Sequence, residues 1–415
     1  MSNGFKYSIV TVSAILVTLL LVGAMVGQSQ EGAAADPYKH INVFTEVFAK
    51  IKADYVEEPE MKNVTLGAVN GLLVSLDPFA SYLNADQYKQ YLKTKENPKA
   101  GVGLLLSRKY GYEIGVVDAI EGSPADKSGM STGDIIEAIN GISTRDMPLA
   151  YADVLLHGEN GSTVELTVLR LRRPEPTKVT LTRAVVAPPA LESKLLDKET
   201  GYITVQDLSA GKSRGVAAAV ASLQKQGATK LVLDLRHSAV SAPEEGIALA
   251  NLFLEKGTIG SLSGQKVKKQ QFEAVAENAV FKGEMVVLTN RGTAGAAEIA
   301  AAALLDNKRA QVVGERTYGD AAQRKAILTD DGGAVLLAVA KYYSPAGKAI
   351  QDVSVTPSVA VADAEPEPLE EDEATAARPA PAPKQEAKPA EDLILKKALE
   401  VLSGKAVQAA AQSRN

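Results

Sequence analysis

Cysteine is absent from the 415-residue chain, which excludes disulfides, thiolate metal sites and a cysteine nucleophile together. Imidazole is scarce. Only His40, His157 and His237 supply it, so far apart in the chain that no zinc site is expected. Positive charge is not in excess: 45 Lys and Arg against 50 Asp and Glu leave a net charge of −5, and nothing favours nucleic acid. No P-loop, metal motif or dinucleotide fingerprint occurs. What is present is a 46% hydrophobic share with 23% charged residues, enough to bury real cores. At about 150 residues per domain the length allows two to three. The expected chemistry uses no cofactor and draws on hydroxyls, amines, carboxylates and backbone amides.

After Lys6 an uncharged run rich in Val, Leu and Ile extends from Tyr7 to Gly27. About 20 apolar residues span a hydrocarbon core as a helix. Signal-peptide cores are usually about 7–15 residues long and end in a small-x-small site. No convincing site precedes Ala33-Ala34-Ala35, so residues 1–30 read as an uncleaved signal-anchor in preference to a cleaved signal peptide. Under either reading the bulk is expected to be extracytoplasmic, periplasmic or on the cell-surface side, with the membrane a partner through the N-terminal helix. Residues 363–391 are mostly Ala, Pro, Glu and Lys, including Glu365-Pro366-Glu367-Pro368, and read as a semi-extended linker. Leu393, Leu395, Ala398, Leu399 and Leu402 then recur near helical spacing. That predicts a short helix over 392–405, solvated or at most weakly docked.

Between these ends the texture changes twice. Residues 37–99 form a helical region expected to pack on something larger. Phe44, Val47, Phe48, Ile51 and Tyr55 mark one face of its first helix, a second runs from about Thr65 to Leu76, and a third opens at Asn84 with Gln87 completing a capping box. Residues 100–186 are short β segments with turn signals, predicted at Val102–Leu106, Tyr112–Val117, Ile135–Ile139, Val164–Leu171 and Lys178–Thr182. The run Ser123-Pro124-Ala125, Gly129, Gly133-Asp134-Ile135-Ile136 and Asn140-Gly141 resembles the PDZ signature. That resemblance implies β-augmentation, in which a peptide adds a strand and its terminal carboxylate sits on backbone N–H groups of a glycine-containing loop. Gly101, Val102, Gly103 and Leu104 fit that loop by position.

From 187 to 362 strands alternate with helices. Leu231–Leu235, Met285–Thr289 and Ala310–Val313 read as buried strands, and Ile247–Leu254 and Ala296–Leu305 as helices. Asp331-Gly332-Gly333 reads as a hairpin into Ala334–Tyr342. This is the pattern of βαβ crossovers on a mainly parallel sheet. The expected fold class is thus an α/β core with N-terminal helices and an inserted β-rich PDZ domain.

The assembled pieces resemble the C-terminal processing peptidases, also called tail-specific proteases. The likeness rests on Leu76-Asp77-Pro78, Ser81-Tyr82-Leu83, Leu233-Asp234-Leu235-Arg236, Ala297-Glu298-Ile299, Thr317-Tyr318-Gly319 and Lys341-Tyr342-Tyr343-Ser344-Pro345, around the PDZ insertion. It implies a serine protease with a lysine base, held neutral by burial, and an oxyanion hole of two backbone amides. Carried across residue by residue, the serine position is Gly295 and the lysine position is Asp320. The supporting glutamine falls at Arg324, with Gln323 one residue early. The oxyanion loop, Asn-Pro-Gly-Gly in the family, reads Ser238, Ala239, Val240 and Ser241, and the family's His after Asp-Pro is Phe79. Glu298 is retained, where a glutamate can simply favour a helix N-terminal turn.

Thr293 and Lys325 lack the offset that relocated catalysis needs and read as a turn residue and a solvated strand lysine. His237 beside Ser238 invites a Ser–His reading, but adjacent residues rarely present their side chains to one another. The chain is therefore expected to be a membrane-anchored pseudoprotease with no metal or cofactor. Partners in view are peptide or protein C-termini, an active relative, and a second copy of itself. The alternative is a serine endopeptidase with relocated residues.

Overall fold

The computed structural model describes residues 37–96, 100–108, 113–170, 173–187, 189–362 and 391–404. The expected anchor and nearly all of the expected linker lie outside these residues. Among the described residues, no helix is long and apolar enough to cross a membrane. The described residues divide into two units at the boundary between Ala68 and Val69.

In the first unit, helix α1 (Pro37–Asp54) stacks Phe44 on Phe48 with ring centroids 6.3 Å apart. Its apolar stripe is present as the spacing predicts, with Phe44 and Val47 about half exposed. Helix α2 (Met61–Leu76) starts a turn earlier than its composition suggests and runs across the unit boundary.

The second unit opens with strand β1 (Ser81–Leu83) and helix α3 (Ala85–Glu96). The capping box forms as read: Asn84 N donates to Gln87 Oε1 at 3.1 Å and Gln87 N to Asn84 Oδ1 at 3.0 Å. Then come β2 (Leu104–Ser107), β3 (Ile114–Ala119), the short α4 (Pro124–Lys127), β4 (Ile135–Ile139), β5 (Ile142–Ser143), α5 (Leu149–Leu156), β6 (Thr163–Arg170) and β7 (Arg173–Thr182). They make an antiparallel sheet in the order β2-β3-β4-β6-β7, with β5 on β4. Alternate residues such as Ile114, Val116, Ile136, Leu166 and Val168 fill a separate core.

The remaining elements are β8 (Glu192–Leu195), β9 (Thr200–Thr204), β10 (Asp207–Leu208), α6 (Lys212–Lys225), β11 (Lys230–Asp234), β12 (Val240–Ser241), α7 (Pro243–Asn251), β13 (Thr258–Ser263), β14 (Gln270–Glu273), β15 (Glu284–Thr289), α8 (Ala296–Asp306), β16 (Gln311–Gly314), β17 (Ala322–Leu328), β18 (Ala334–Tyr343), α9 (Ile350–Val353), β19 (Val359–Ala360) and α10 (Leu393–Leu402). A six-stranded sheet runs β19-β16-β15-β11-β9-β8, parallel except for the β8–β9 hairpin. A further antiparallel sheet, β1-β18-β13-β14 with β17 on β18, was not legible as a separate layer.

In the parallel sheet Leu231 and Leu233 face α6, α7 and α8, while Val232, Val286, Leu288 and Val313 face the other way. Helix α8 is alanine on nearly every side because it is crowded on every side. A Cβ on Gly246 of α7 would lie 2.1 Å from Ala296 O, so the two helices meet backbone to backbone.

The second face of the sheet corrects one expectation. Helix α10 is neither solvated nor weakly docked: Ile394 and Ala398 are fully buried on Tyr202, Val232, Val286, Leu288 and Val313. Asp392 caps it, accepting from Leu395 N at 2.9 Å, and also accepts from Arg236 Nη1 and Nη2 at 3.0 and 2.8 Å. An apolar sheet face needs a cover, and this helix supplies it.

Candidate functional site

Residues carried over from the protease resemblance converge at the carboxyl ends of β11 and β15, where open α/β sheets usually place their sites. Gly295 is the N-cap of α8, with φ 58° and ψ −115°. A side chain is strained there, and strand-to-helix turns that present a nucleophile use such strained backbone. Gly295 holds such a turn without a hydroxyl.

Glu298, at N3 of α8, does much more than favour a helix start. It is fully buried, and its Oε2 accepts from Gly295 N at 3.0 Å and Asp320 N at 2.7 Å. Its Oε1 accepts from Gly319 N at 2.7 Å and from the Thr317 hydroxyl. One carboxylate thus pins Gly295 to Asp320, the two positions that the resemblance gives to the family's serine and lysine. Burial pushes this carboxyl up to about 7, against the downward pull of its bonds from Thr317, Asp320 and Gly319.

Asp320 is paired with a guanidinium. Its Oδ1 accepts from Arg324 Nη2 at 2.5 Å, and the guanidinium lies over the Phe79 ring, 4.5 Å from the centroid. Phe79 meets Tyr318 edge to face at 5.6 Å. The residues at the lysine, glutamine and histidine positions therefore form a single packed unit of carboxylate, guanidinium and ring.

Where the family has its oxyanion glycines, Val240 and Ser241 form β12 and pair in parallel with Asp207 and Leu208 of β10. Ser238 is fully buried, its O accepts from Ala294 N at 2.9 Å, and its Oγ has no hydrogen-bond partner. Thr293 is a buried turn residue whose hydroxyl donates to Leu235 O at 2.8 Å and accepts from Asn290 N at 3.0 Å. Lys325 is exposed on β17. No group of three or more His, Asp or Glu side chains among the described residues is set to hold a metal ion.

His237 is committed elsewhere. Asn290 Oδ1 accepts from His237 N at 3.1 Å and Gly292 N at 3.0 Å, which fixes the amide so that Nδ2 points at His237 Nε2, 2.9 Å away. Nε2 must then be the acceptor, and Nδ1–H donates to both oxygens of Asp118 at 2.9 Å. Asp118 and Asn290 thus engage the two ring nitrogens. Asp118 belongs to the PDZ-like sheet, and a Cβ on Gly292 would lie 2.8 Å from its Oδ2. Asp118 and Asn290 went unnoticed in the sequence, because nothing in its pattern links positions 118 and 237. Beside them Val117 packs with Ala294 and Tyr318, flanked by Leu105, Phe79 and Ala239. The β-rich domain thus sits against this site.

In the Gly101–Leu104 loop, Gly101 N is used internally, donating to Ala184 O at 2.9 Å. Gly103 has φ 79°, and a Cβ there would lie 2.2 Å from Ser123 Cβ, so the glycine serves a close approach to α4. Ile120 N donates to Gly103 O at 2.8 Å, which with the antiparallel register turns the amide of Leu104 toward the open edge of β2.

A PDZ sheet seated on an α/β core with this site defines a PDZ-containing serine-protease fold. Comparison with known proteins agrees. Residues 199–361 match the model of peptidase family S41, and residues 115–170 match a PDZ domain. The carboxy-terminal processing protease CtpA of Bacillus subtilis is 32% identical over 359 residues, 86% of this chain and 76% of the relative. A carboxyl-terminal-processing protease of Synechocystis is 32% identical over 314 residues, 74% of this chain and 73% of the relative. Among solved structures, a photosystem II D1 C-terminal processing protease superposes with a TM-score of 0.64 at 26% identity, covering 77% of this chain and 92% of that one. The chain belongs to the carboxy-terminal processing proteases of peptidase family S41.

Proposed function

We propose that this family member is a pseudoprotease: it keeps the scaffold, binds peptide or protein C-termini through its PDZ domain, and does not cleave them. The observation that carries the reading is the fate of the Ser and Lys positions. Gly295 offers no nucleophile, and Asp320 is bonded to Arg324 at 2.5 Å, where a neutral amine would be needed. Loss of the oxyanion glycines at Val240 and Ser241, now strand β12, supports it further. The apolar run Tyr7–Gly27 supports a membrane anchor with the bulk extracytoplasmic. Regulation of an active relative is a natural use of a C-terminus binder that lacks turnover.

The test treats the full chain, purified in detergent, with a fluorophosphonate serine probe and with unfolded proteins ending in apolar residues. Neither covalent labelling nor shortening of the substrates is expected over hours. Labelling and turnover that persist on repurification and vanish with Ser238→Ala or Thr293→Ala would establish relocated catalysis instead.

A further inference from the structure

A cavity of about 830 Å³ opens between the PDZ sheet and the core, and neither Gly295 nor Asp320 lines it. Its volume is that of a ligand site, commonly about 300–1,000 Å³. Ser107, Val117 and Ile135 contribute to one wall, and Tyr318, Ala360 and Ala362 to the other. Two edge strands reach it, through Ser107 and Ala360.

The first is β2. A peptide held by its carboxylate at Val102–Leu104 and added antiparallel to the open edge of β2 runs toward Ser107. Strand β2 is four residues long, so a captured chain passes Ser107 about four residues before its end. Ser107 is itself a wall of the cavity. The second edge is β19, the last strand of the parallel sheet. Val361 N donates to Gly314 O at 2.9 Å, and Gly314 pairs with Ala360. In that parallel register the N–H and C=O of Ala360 point away from β16, on the side open to a further strand. Val117, Ile135 and Tyr318 offer apolar surface to side chains beside it.

We infer that this cavity binds the extended, apolar polypeptide segment that precedes a captured C-terminus, adding it as a strand beside β19. The inference rests on the peptide-capture reading above. It leads the captured chain into a holding site that Gly295 and Asp320 do not line, so the protein retains an unfolded segment instead of presenting it for cleavage.

Calorimetry on the full chain tests it with two synthetic peptides sharing one apolar C-terminus, one of four residues and one of ten whose added residues alternate valine and serine. The longer should bind at least about tenfold more tightly. Two substitutions act on the cavity alone: Ala360→Pro removes the outward N–H, which a strand edge tolerates, and Thr356→Trp fills space from an exposed lining position. Both should bring the ratio of affinities close to one and leave the four-residue peptide's affinity unchanged, which also reports that the PDZ domain is intact. Equal affinities for both peptides in the native chain, or a tenfold ratio that survives both substitutions, would overturn the inference while capture stands. If neither peptide binds, the capture reading fails and the inference falls with it.

Discussion

Glu298 shows how a single buried side chain can hold a site together. Four donors converge on it, three of them backbone amides, and its removal would break three bonds between the start of α8 and the Thr317–Asp320 segment. Its titration gives a test whose sign follows from burial. The carboxyl is raised from 4.5 to about 7 in the folded chain. Between those values the native state keeps a proton that the unfolded state has released. The native state therefore binds more protons, and stability falls as pH rises through that window, levelling off above it. A rise of that size corresponds to on the order of 3 kcal/mol. Urea unfolding at pH 5 and pH 8 should show this loss in the native chain and not in Glu298→Gln, which carries no titrating group there. Parallel pH profiles for the two proteins would mean that Glu298 is ionised throughout.

Helix α10 carries the corresponding lesson about elements. Its sequence places Leu393 and Ile394 side by side, and composition alone does not say which faces inward. The readable stripe of leucines pointed to Leu393, yet Ile394, Ala398 and Leu402 are the buried residues and Leu393 is 42% exposed. The deciding partner is a sheet face more than 80 residues earlier in the chain, which periodicity cannot see. Where an element is fixed by its own residues, the sequence was enough. Helix α8 ends within one residue of its predicted span because its alanine run is bounded by glycine and asparagine, and the Asn84–Gln87 box forms as read. Hairpin β17–β18 turns at the predicted Asp331-Gly332-Gly333. Replacing Ile394 with alanine should cost about 2–5 kcal/mol, as buried isoleucines do. Leu393→Ala should stay within about 0.5 kcal/mol, as exposed substitutions do. Urea unfolding measures both, and hydrogen exchange along Leu393–Leu402 should quicken only in the first. Similar costs for the two would mean that α10 does not dock through this face.

At the scale of the molecule, the pseudoprotease reading implies that the changes at the site are coupled, so returning a serine and a lysine alone should not recover a protease. Gly295→Ser restores a hydroxyl on backbone at φ 58°, a strain of about 1–3 kcal/mol that the glycine avoids. Asp320→Lys takes the partner from Arg324 and sets an ammonium against the same guanidinium, so Arg324→Gln must accompany it. The oxyanion side is a matter of the chain path: Val240 and Ser241 are held in β12 by pairing with β10, which the family's glycines would have to undo. The domain seated above adds a further constraint, with Asp118 bonded to His237 and Val117 against Ala294. A small activated ester is therefore a better probe than a protein, since it does not need that domain to move. With Gly295→Ser, Asp320→Lys and Arg324→Gln together, hydrolysis of the ester should be feeble at most. Adding Ala239→Pro, Val240→Gly and Ser241→Gly should raise the rate about 10²–10³-fold, the usual worth of one oxyanion donor. Equal rates for the two variants would mean that β12 is no obstacle to the oxyanion. If the six-fold variant stays inert while circular dichroism reports a native fold, then the assignment of Gly295 and Asp320 to the family's serine and lysine is wrong.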